Sequence, residues 1–127
     1  MRLAAICIIT VFFTQLLNAD TPSWQTDLKN LQNKPTFVMV ETNYCPWCKK
    51  MKETTLSEPK VLARLQNFNS VKMLKRSWNK EGIAHIRLVP GLVFLDEDKS
   101  IIAKFNGYKA TNEFLQLLDK ILQRNNS

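Results

Sequence analysis

The fold of this chain is decided by the stretch Thr36-Phe37-Val38-Met39-Val40-Glu41-Thr42-Asn43-Tyr44-Cys45-Pro46-Trp47-Cys48. Its first six residues are mostly apolar and rich in β-branched and aromatic side chains, which is typical of a strand covered on both faces. Pro46 suits the first turn of a helix, where its missing N–H costs nothing. The stretch therefore predicts a central strand that leads into a helix, with Cys45 at the junction.

This junction places the two cysteines in different chemical environments. Unpaired N–H groups and the macrodipole at a helix N-terminus favour negative charge, so the nucleophilic thiolate is stabilised at Cys45. Lys49, Lys50 and Lys52 add positive charge nearby. Cys48 is one turn further along the helix, where it is shielded and close enough to attack a mixed disulfide formed on Cys45. The spacing predicts a redox pair in which Cys45 attacks and Cys48 resolves.

Residues 1–19 have the pattern of a secretory signal peptide. Arg2 supplies a positive charge, an apolar run interrupted only by Thr10 extends over residues 3–13, and the segment ends at Ala19. The apolar run is shorter than the roughly 20 residues of a membrane-spanning helix. We expect cleavage after Ala19 and export of residues 20–127 as a soluble, periplasmic or otherwise exported domain. An uncleaved anchor and an ordinary buried helix are the alternatives.

The number of cysteines agrees with a redox role in an exported protein. The chain of 127 residues has three cysteines, and removal of the signal peptide would take Cys7 and leave only Cys45 and Cys48. Two cysteines so close in sequence close a tiny loop and cannot staple a fold. In an oxidising compartment such a pair is more naturally a working dithiol/disulfide couple.

The chain is basic, with 18 Lys and Arg against 11 Asp and Glu and a formal net charge of +7. Its lysines are dispersed rather than clustered with aromatic residues, which argues against a nucleic-acid site. We expect a solvated basic surface that attracts acidic partners weakly.

Apolar spacing and turn residues predict one α/β domain. The predicted order is helix 22–31, strand 36–41, helix 45–54, a helix from Ser57, strand 71–74, short helix 79–85, strand 91–95, strand 101–105 and a helix from Thr111. A strand–helix–strand unit followed by a hairpin and a closing helix gives a mixed sheet. We expect four strands, helices on both faces and an extra N-terminal helix.

The chain resembles the thioredoxin superfamily from about Lys34 to Leu122. The motif Cys45-Pro46-Trp47-Cys48 after an apolar strand and the motif Leu88-Val89-Pro90-Gly91 before another carry this resemblance. It implies a thioredoxin fold in which Pro90 is cis and lies against the active-site disulfide. The Val89 backbone would pair with a bound substrate, and Gly91 departs from the more usual Thr or Ser. Trp47 inside the motif is expected to be exposed on the substrate-contacting surface, which Tyr44 would share.

Segments 45–51 and 57–61, with the extra helix, resemble small exported bacterial thioredoxin-like reductases. Examples are the thioredoxin-like protein of sulfur-oxidation operons and the C-terminal domain of the inner-membrane disulfide reductase. This resemblance implies that a Cys45–Cys48 disulfide/dithiol couple reduces protein disulfides without a bound organic cofactor. Its partners would be protein dithiols and disulfides, including a membrane electron donor, and the protein would act as a monomer.

One position departs from the thioredoxin pattern. Thioredoxins carry a buried Asp six residues before the first cysteine, and Met39 occupies that place here. Glu41 lies two residues on, and strand alternation places it on the same face. We hypothesise that Glu41 substitutes as a base or proton relay; the alternative is a solvated residue that simply ends the strand.

Other functions fit the sequence less well. Zinc usually takes four ligands, whereas this chain offers two cysteines and His85, which we expect on a surface helix. An iron–sulfur cluster bridged between two chains at Cys45 is a further alternative. A glutaredoxin would need Gly-Gly after the proline strand, where Asp96-Glu97-Asp98 would repel acidic glutathione. A binding-only thioredoxin-like module would have no use for both cysteines. The sequence does not set the direction of electron flow, so an oxidase or isomerase of oxidative folding stays open.

Overall fold

Five strands form one mixed sheet in the computed structural model, which describes residues 21–124. The strands are β1 (Trp24–Gln25), β2 (Thr36–Glu41), β3 (Asn69–Leu74), β4 (Gly91–Leu95) and β5 (Ile101–Asn106). In spatial order β3 lies between β1 and β2, and β2 is followed by β4 and β5. β3 runs parallel to β1 and β2, whereas β4 runs antiparallel to β2 and β5. The predicted signal peptide and its cleavage site lie outside the described residues.

Helices cover both faces of the sheet. One face carries three helices around a core that includes Phe37, Met51 and Phe114, and the other carries one helix anchored by the fully buried Trp78. The first three are α1 (Pro46–Glu53), α2 (Pro59–Leu65) and α4 (Thr111–Arg124), and the fourth is α3 (Lys75–Lys80). A short 3₁₀ turn, Thr55–Ser57, joins α1 to the Glu58 that precedes α2. Within residues 21–124, no helix is long and apolar enough to cross a bilayer.

The predicted central strand is confirmed by the packing of β2. Phe37 and Met39 enter the core on the α1 side, whereas Val38 and Val40 enter the core on the α3 side. All four are fully buried. Period-two alternation thus explains why a continuous apolar run is needed here: each face of β2 meets a separate hydrophobic layer.

The predicted N-terminal helix over residues 22–31 is wrong, and with it the count of four strands. Trp24 instead pairs with Ser70 in β1 and packs on the α1 side of the sheet. Leu28 is buried on the α3 side, and Asn30 has a positive φ of 58°. The helical spacing of the apolar residues was misleading because the segment wraps the sheet edge and sends these side chains to opposite faces.

The short helix predicted over residues 79–85 is also misplaced. α3 begins at Lys75, directly after β3, and ends at Lys80. Gly82 has a φ of +73°, and the Asn79 side chain holds the following loop by hydrogen bonds to the N–H and carbonyl of Ile86. His85 therefore lies exposed in a loop rather than on a surface helix.

Candidate active site

Cys45 and Cys48 form a disulfide at the N-terminus of α1, with Cα atoms 5.2 Å apart. Cys45 is the N-cap residue, and its Sγ accepts the backbone N–H of Cys48 at 3.1 Å. Cys48 is only 1% exposed, whereas Cys45 is partly exposed. The two residues differ in burial as predicted: Cys45 is partly exposed at the helix N-terminus, where the free N–H groups favour a thiolate, whereas Cys48 is buried. Their division of labour stays a prediction.

A cleft beside the disulfide brings together the three predicted substrate-orienting residues. The Val89–Pro90 peptide bond is cis, as the resemblance implies. We call this surface the proline cleft; it is lined by Trp47, Val89, Pro90, Gly107 and Tyr108. Gly107 and Tyr108 were not predicted. Their approach to Pro90 follows from the β4–β5 pairing, because the Gly107 N–H donates to the Pro90 carbonyl at 2.8 Å.

Trp47 is held in place by its neighbours although its side chain is 55% exposed. Its ring centroid lies 5.7 Å from that of Tyr108, and the Lys50 ammonium lies 4.9 Å from the Trp47 ring and 5.1 Å from the Tyr108 ring. The Tyr108 hydroxyl is 3.3 Å from the Thr54 Oγ1. This hydrogen bond, and to a lesser extent the Lys50 charge, lowers the pKa of the Tyr108 phenol. Trp47 and Tyr108 thus form an aromatic wall of the cleft, with the Lys50 ammonium over both rings.

Glu41 ends β2, yet its side chain is only 13% exposed. Its Oε1 lies 2.7 Å from the Lys52 Nζ, and the pair borders a recess that Cys45 and Cys48 also line. Met39 is packed in the same core as Cys48, where it leaves no ionisable group. Glu41 is therefore the carboxylate that shares a recess with the buried sulfur, and the solvated alternative does not describe it.

The surface around the disulfide also exposes large apolar side chains. Tyr44 is 86% exposed next to Cys45, and Leu88 projects from the loop before the cis proline. Within the described part of the chain, no three His, Cys, Asp or Glu side chains are grouped as metal ligands. The chemistry that the arrangement supports is thus thiol–disulfide exchange at Cys45 and Cys48, beside exposed apolar side chains.

Comparison with known proteins agrees with this geometry. A family model described as a thioredoxin-like domain matches residues 24–122, whereas no curated protein matches the chain. Among solved structures, a thioredoxin-fold protein from Helicobacter pylori aligns with a TM-score of 0.67 and 15% identity, covering 80% of this chain and 76% of that one. The fold, a mixed α/β sheet covered by helices, is thereby confirmed.

Two further structures have the same fold. An uncharacterised thioredoxin-like protein from Clostridium perfringens has a TM-score of 0.60 and 18% identity over 88% of this chain and 90% of that one. The reduced DsbD C-terminal domain from Neisseria meningitidis has a TM-score of 0.58 and 19% identity over 69% and 81%. With its Cys45–Cys48 disulfide at the start of α1, the chain belongs to the thioredoxin-like family and has the make-up of a thiol–disulfide oxidoreductase.

Proposed function

We propose that the protein is an exported reductase of protein disulfides that works through Cys45 and Cys48. The observation that carries this proposal is the pairing of a partly exposed Cys45 at the helix N-terminus with a buried Cys48 one turn along the helix. The proline cleft next to the pair, with Trp47, Val89 and Pro90, offers an extended polypeptide a place to lie.

The reaction has two balanced steps. In the reduced protein, the Cys45 thiolate attacks one sulfur of the substrate disulfide; that S–S bond breaks, and the leaving thiolate takes up a proton. Cys48 then loses its proton and attacks the Cys45 sulfur of the mixed disulfide, which releases the second substrate thiol. Two electrons pass from the protein dithiol to the substrate, and a second dithiol protein must supply them again.

The second step needs a base, because a buried thiol has to be deprotonated before it attacks. Glu41 is suited to this role since it opens on the recess next to Cys48 and is held at 2.7 Å by Lys52. Glu41 would thus replace the Asp that Met39 displaces.

Export and the direction of electron flow rest on sequence. The signal-peptide pattern of residues 1–19 supports export from the cytoplasm, and the motif at Cys45 resembles that of exported reductases. A membrane-bound dithiol protein would then be its electron donor. Structural neighbours described as a DsbD C-terminal domain, as DsbH oxidoreductase and as a disulphide isomerase from Xylella fastidiosa share the fold, so the fold alone is compatible with either direction.

The reduction potential tests the direction of flow. We expect equilibration with glutathione, followed by separation of the two redox forms, to give a value near the reducing end of the range, about −270 mV. A value near about −120 mV would contradict the reductase and favour an oxidase. The N-terminus of the exported protein tests the compartment: we expect it close to Asp20, and a mature protein that begins at Met1 would contradict cleavage.

A further inference from the structure

A second recess adjoins the proline cleft. We call it the basic recess; it is lined by His85, Arg87, Leu88, Lys104 and Asn106. The two surfaces adjoin at two places in the chain, because consecutive residues belong to one and the other: Leu88 precedes Val89 of the cleft, and Asn106 precedes Gly107. A substrate segment that extends from the cleft past these residues would therefore reach the basic recess.

The positive charge of this recess is not neutralised by the protein. Lys104 donates to the carbonyl of His85 at 3.3 Å, and Lys75 donates to the carbonyl of Arg87 at 3.2 Å. These bonds to neutral carbonyls fix the ammonium groups beside the loop but leave their charge unpaired. Among residues 21–124, the ion pairs do not include Lys75, Arg87 or Lys104, and no acidic side chain lines either surface.

We propose that the basic recess binds acidic side chains of the substrate protein, on the segment that carries the cysteine under attack. This inference rests on the proposed function, since it assigns the substrate class of the same site. Arg87 is two residues from Val89, and an extended chain spans at most about 7 Å over two residues. Substrate carboxylates roughly two to four residues from the cysteine are therefore within reach of the basic recess. The residues next to the substrate cysteine would contact the aromatic wall of the proline cleft.

Charge complementarity distinguishes this substrate from other protein disulfides. Opposite charges steer encounter and raise the rate of association, and the effect weakens as salt is added. A lysine in the same place on the substrate would meet uncompensated positive charge. The structure thus predicts a ranking of substrates by the charge that flanks the cysteine.

Three matched peptides test this ranking. Each contains one cysteine held as a mixed disulfide with thionitrobenzoate, and they differ only in the residues three positions to either side, which are Asp, Asn or Lys. The reduced protein attacks this disulfide, and Cys48 completes the exchange, so one dithiol is oxidised while thionitrobenzoate and the peptide thiol are released. The rate of thionitrobenzoate release is followed at low and at high salt.

We expect the Asp peptide to react at least about threefold faster than the Asn peptide at low salt, with the Lys peptide slowest and the differences shrinking at high salt. In the double variant Arg87→Gln/Lys104→Gln, the Asp-to-Asn ratio should fall to about one. The control Lys29→Gln/Lys120→Gln removes the same charge from exposed residues that line neither surface, and it should keep the ratio of the parent.

Two outcomes would overturn the proposal: a parent protein without preference for the Asp peptide, or a preference that falls equally in both double variants. The second result would assign the effect to net charge rather than to the recess. A parent protein that reacts with none of the three peptides would instead contradict the proposed function itself, so the two failures are distinguishable.

Discussion

Cys45 and Cys48 are one helical turn apart but have different surroundings. The Cys45 sulfur accepts an N–H at the start of α1 and Cys45 is partly exposed, whereas Cys48 is buried in the core under α1. In the reduced protein, we expect brief alkylation near neutral pH to label Cys45 faster by about an order of magnitude or more. Peptide mapping by mass spectrometry measures both rates, and faster labelling of Cys48 would reverse the assignment of attacking and resolving thiols.

A single substitution also tests the role of Glu41. Replacing it by Gln keeps its shape and removes the carboxylate that shares a recess with Cys48. We expect the resolving step, measured in a single turnover from a preformed mixed disulfide on Cys45, to slow at least about tenfold and to change its pH profile.

Glu58→Gln is the matched control for Glu41→Gln, because Glu58 is exposed and lines none of the surfaces around the disulfide. It should resolve at the rate of the parent. Identical pH profiles for Glu41→Gln and the parent would leave Glu41 with a structural role only, as the ion-pair partner of Lys52.

Among the elements, the continuous apolar runs and the apolar stripe of the last helix predicted the structure, whereas the sparse apolar spacing over residues 22–31 did not. Residues 36–41 and 91–95 match β2 and β4, and α4 begins at the predicted Thr111. In these segments every apolar residue belongs to one face of a strand or to one stripe of a helix, so the period of the apolar residues determines the type of element. In residues 22–31 the same spacing arose from side chains that enter different cores, and tertiary packing decided the structure.

The sequence predicted some residues of the candidate site and missed others. Cys45, Trp47 and Pro90 belong to local motifs, and local motifs are visible in a sequence. Tyr108 and Lys104 reach the site through the pairing of β5 with β4, in which Asn106 lies opposite Gly91. The register of the β4–β5 hairpin is the signal that would have placed Tyr108 and Lys104 at the site. The sequence of the turn at residues 96–100 did not determine that register.

Gly91 shows how one residue links β4 to the loop before it. A Cβ placed on Gly91 would lie 2.8 Å from the Ile86 Cγ2, and Ile86 is itself buried. The departure from Thr or Ser is therefore a packing requirement. We expect Gly91→Ala to lower the free energy of unfolding by about 1–3 kcal/mol, measured by urea denaturation.

A double-mutant cycle separates this clash from other costs of the Gly91 substitution. Ile86→Ala removes the atoms that the new methyl group would meet, so Gly91→Ala should cost clearly less in that background. An equal cost in both backgrounds would show that the contact with Ile86 does not explain the glycine.

The whole molecule brings its reactive groups to one end of the sheet. Because β4 runs antiparallel to β2 and β5, the end of β2, the start of β4 and the end of β5 lie together: Val40 is opposite Gly91, and Gly91 is opposite Asn106. The disulfide and the cis proline lie in the loops next to these strand ends, and the basic recess includes Lys104 and Asn106 at the end of β5. A hydrophobic core packs on each face of the sheet.

The intact masses of two variants test whether Cys45 attacks a substrate disulfide and Cys48 resolves the product. Cys48→Ser and Cys45→Ser are reduced and mixed with a peptide that contains a disulfide. Cys48→Ser should gain the mass of one peptide chain, attached at Cys45 and removed by dithiothreitol, because its resolving thiol is gone. Cys45→Ser should gain little or none. A stable adduct on Cys48 in Cys45→Ser, or no adduct on either variant, would show that Cys45 is not the attacking residue.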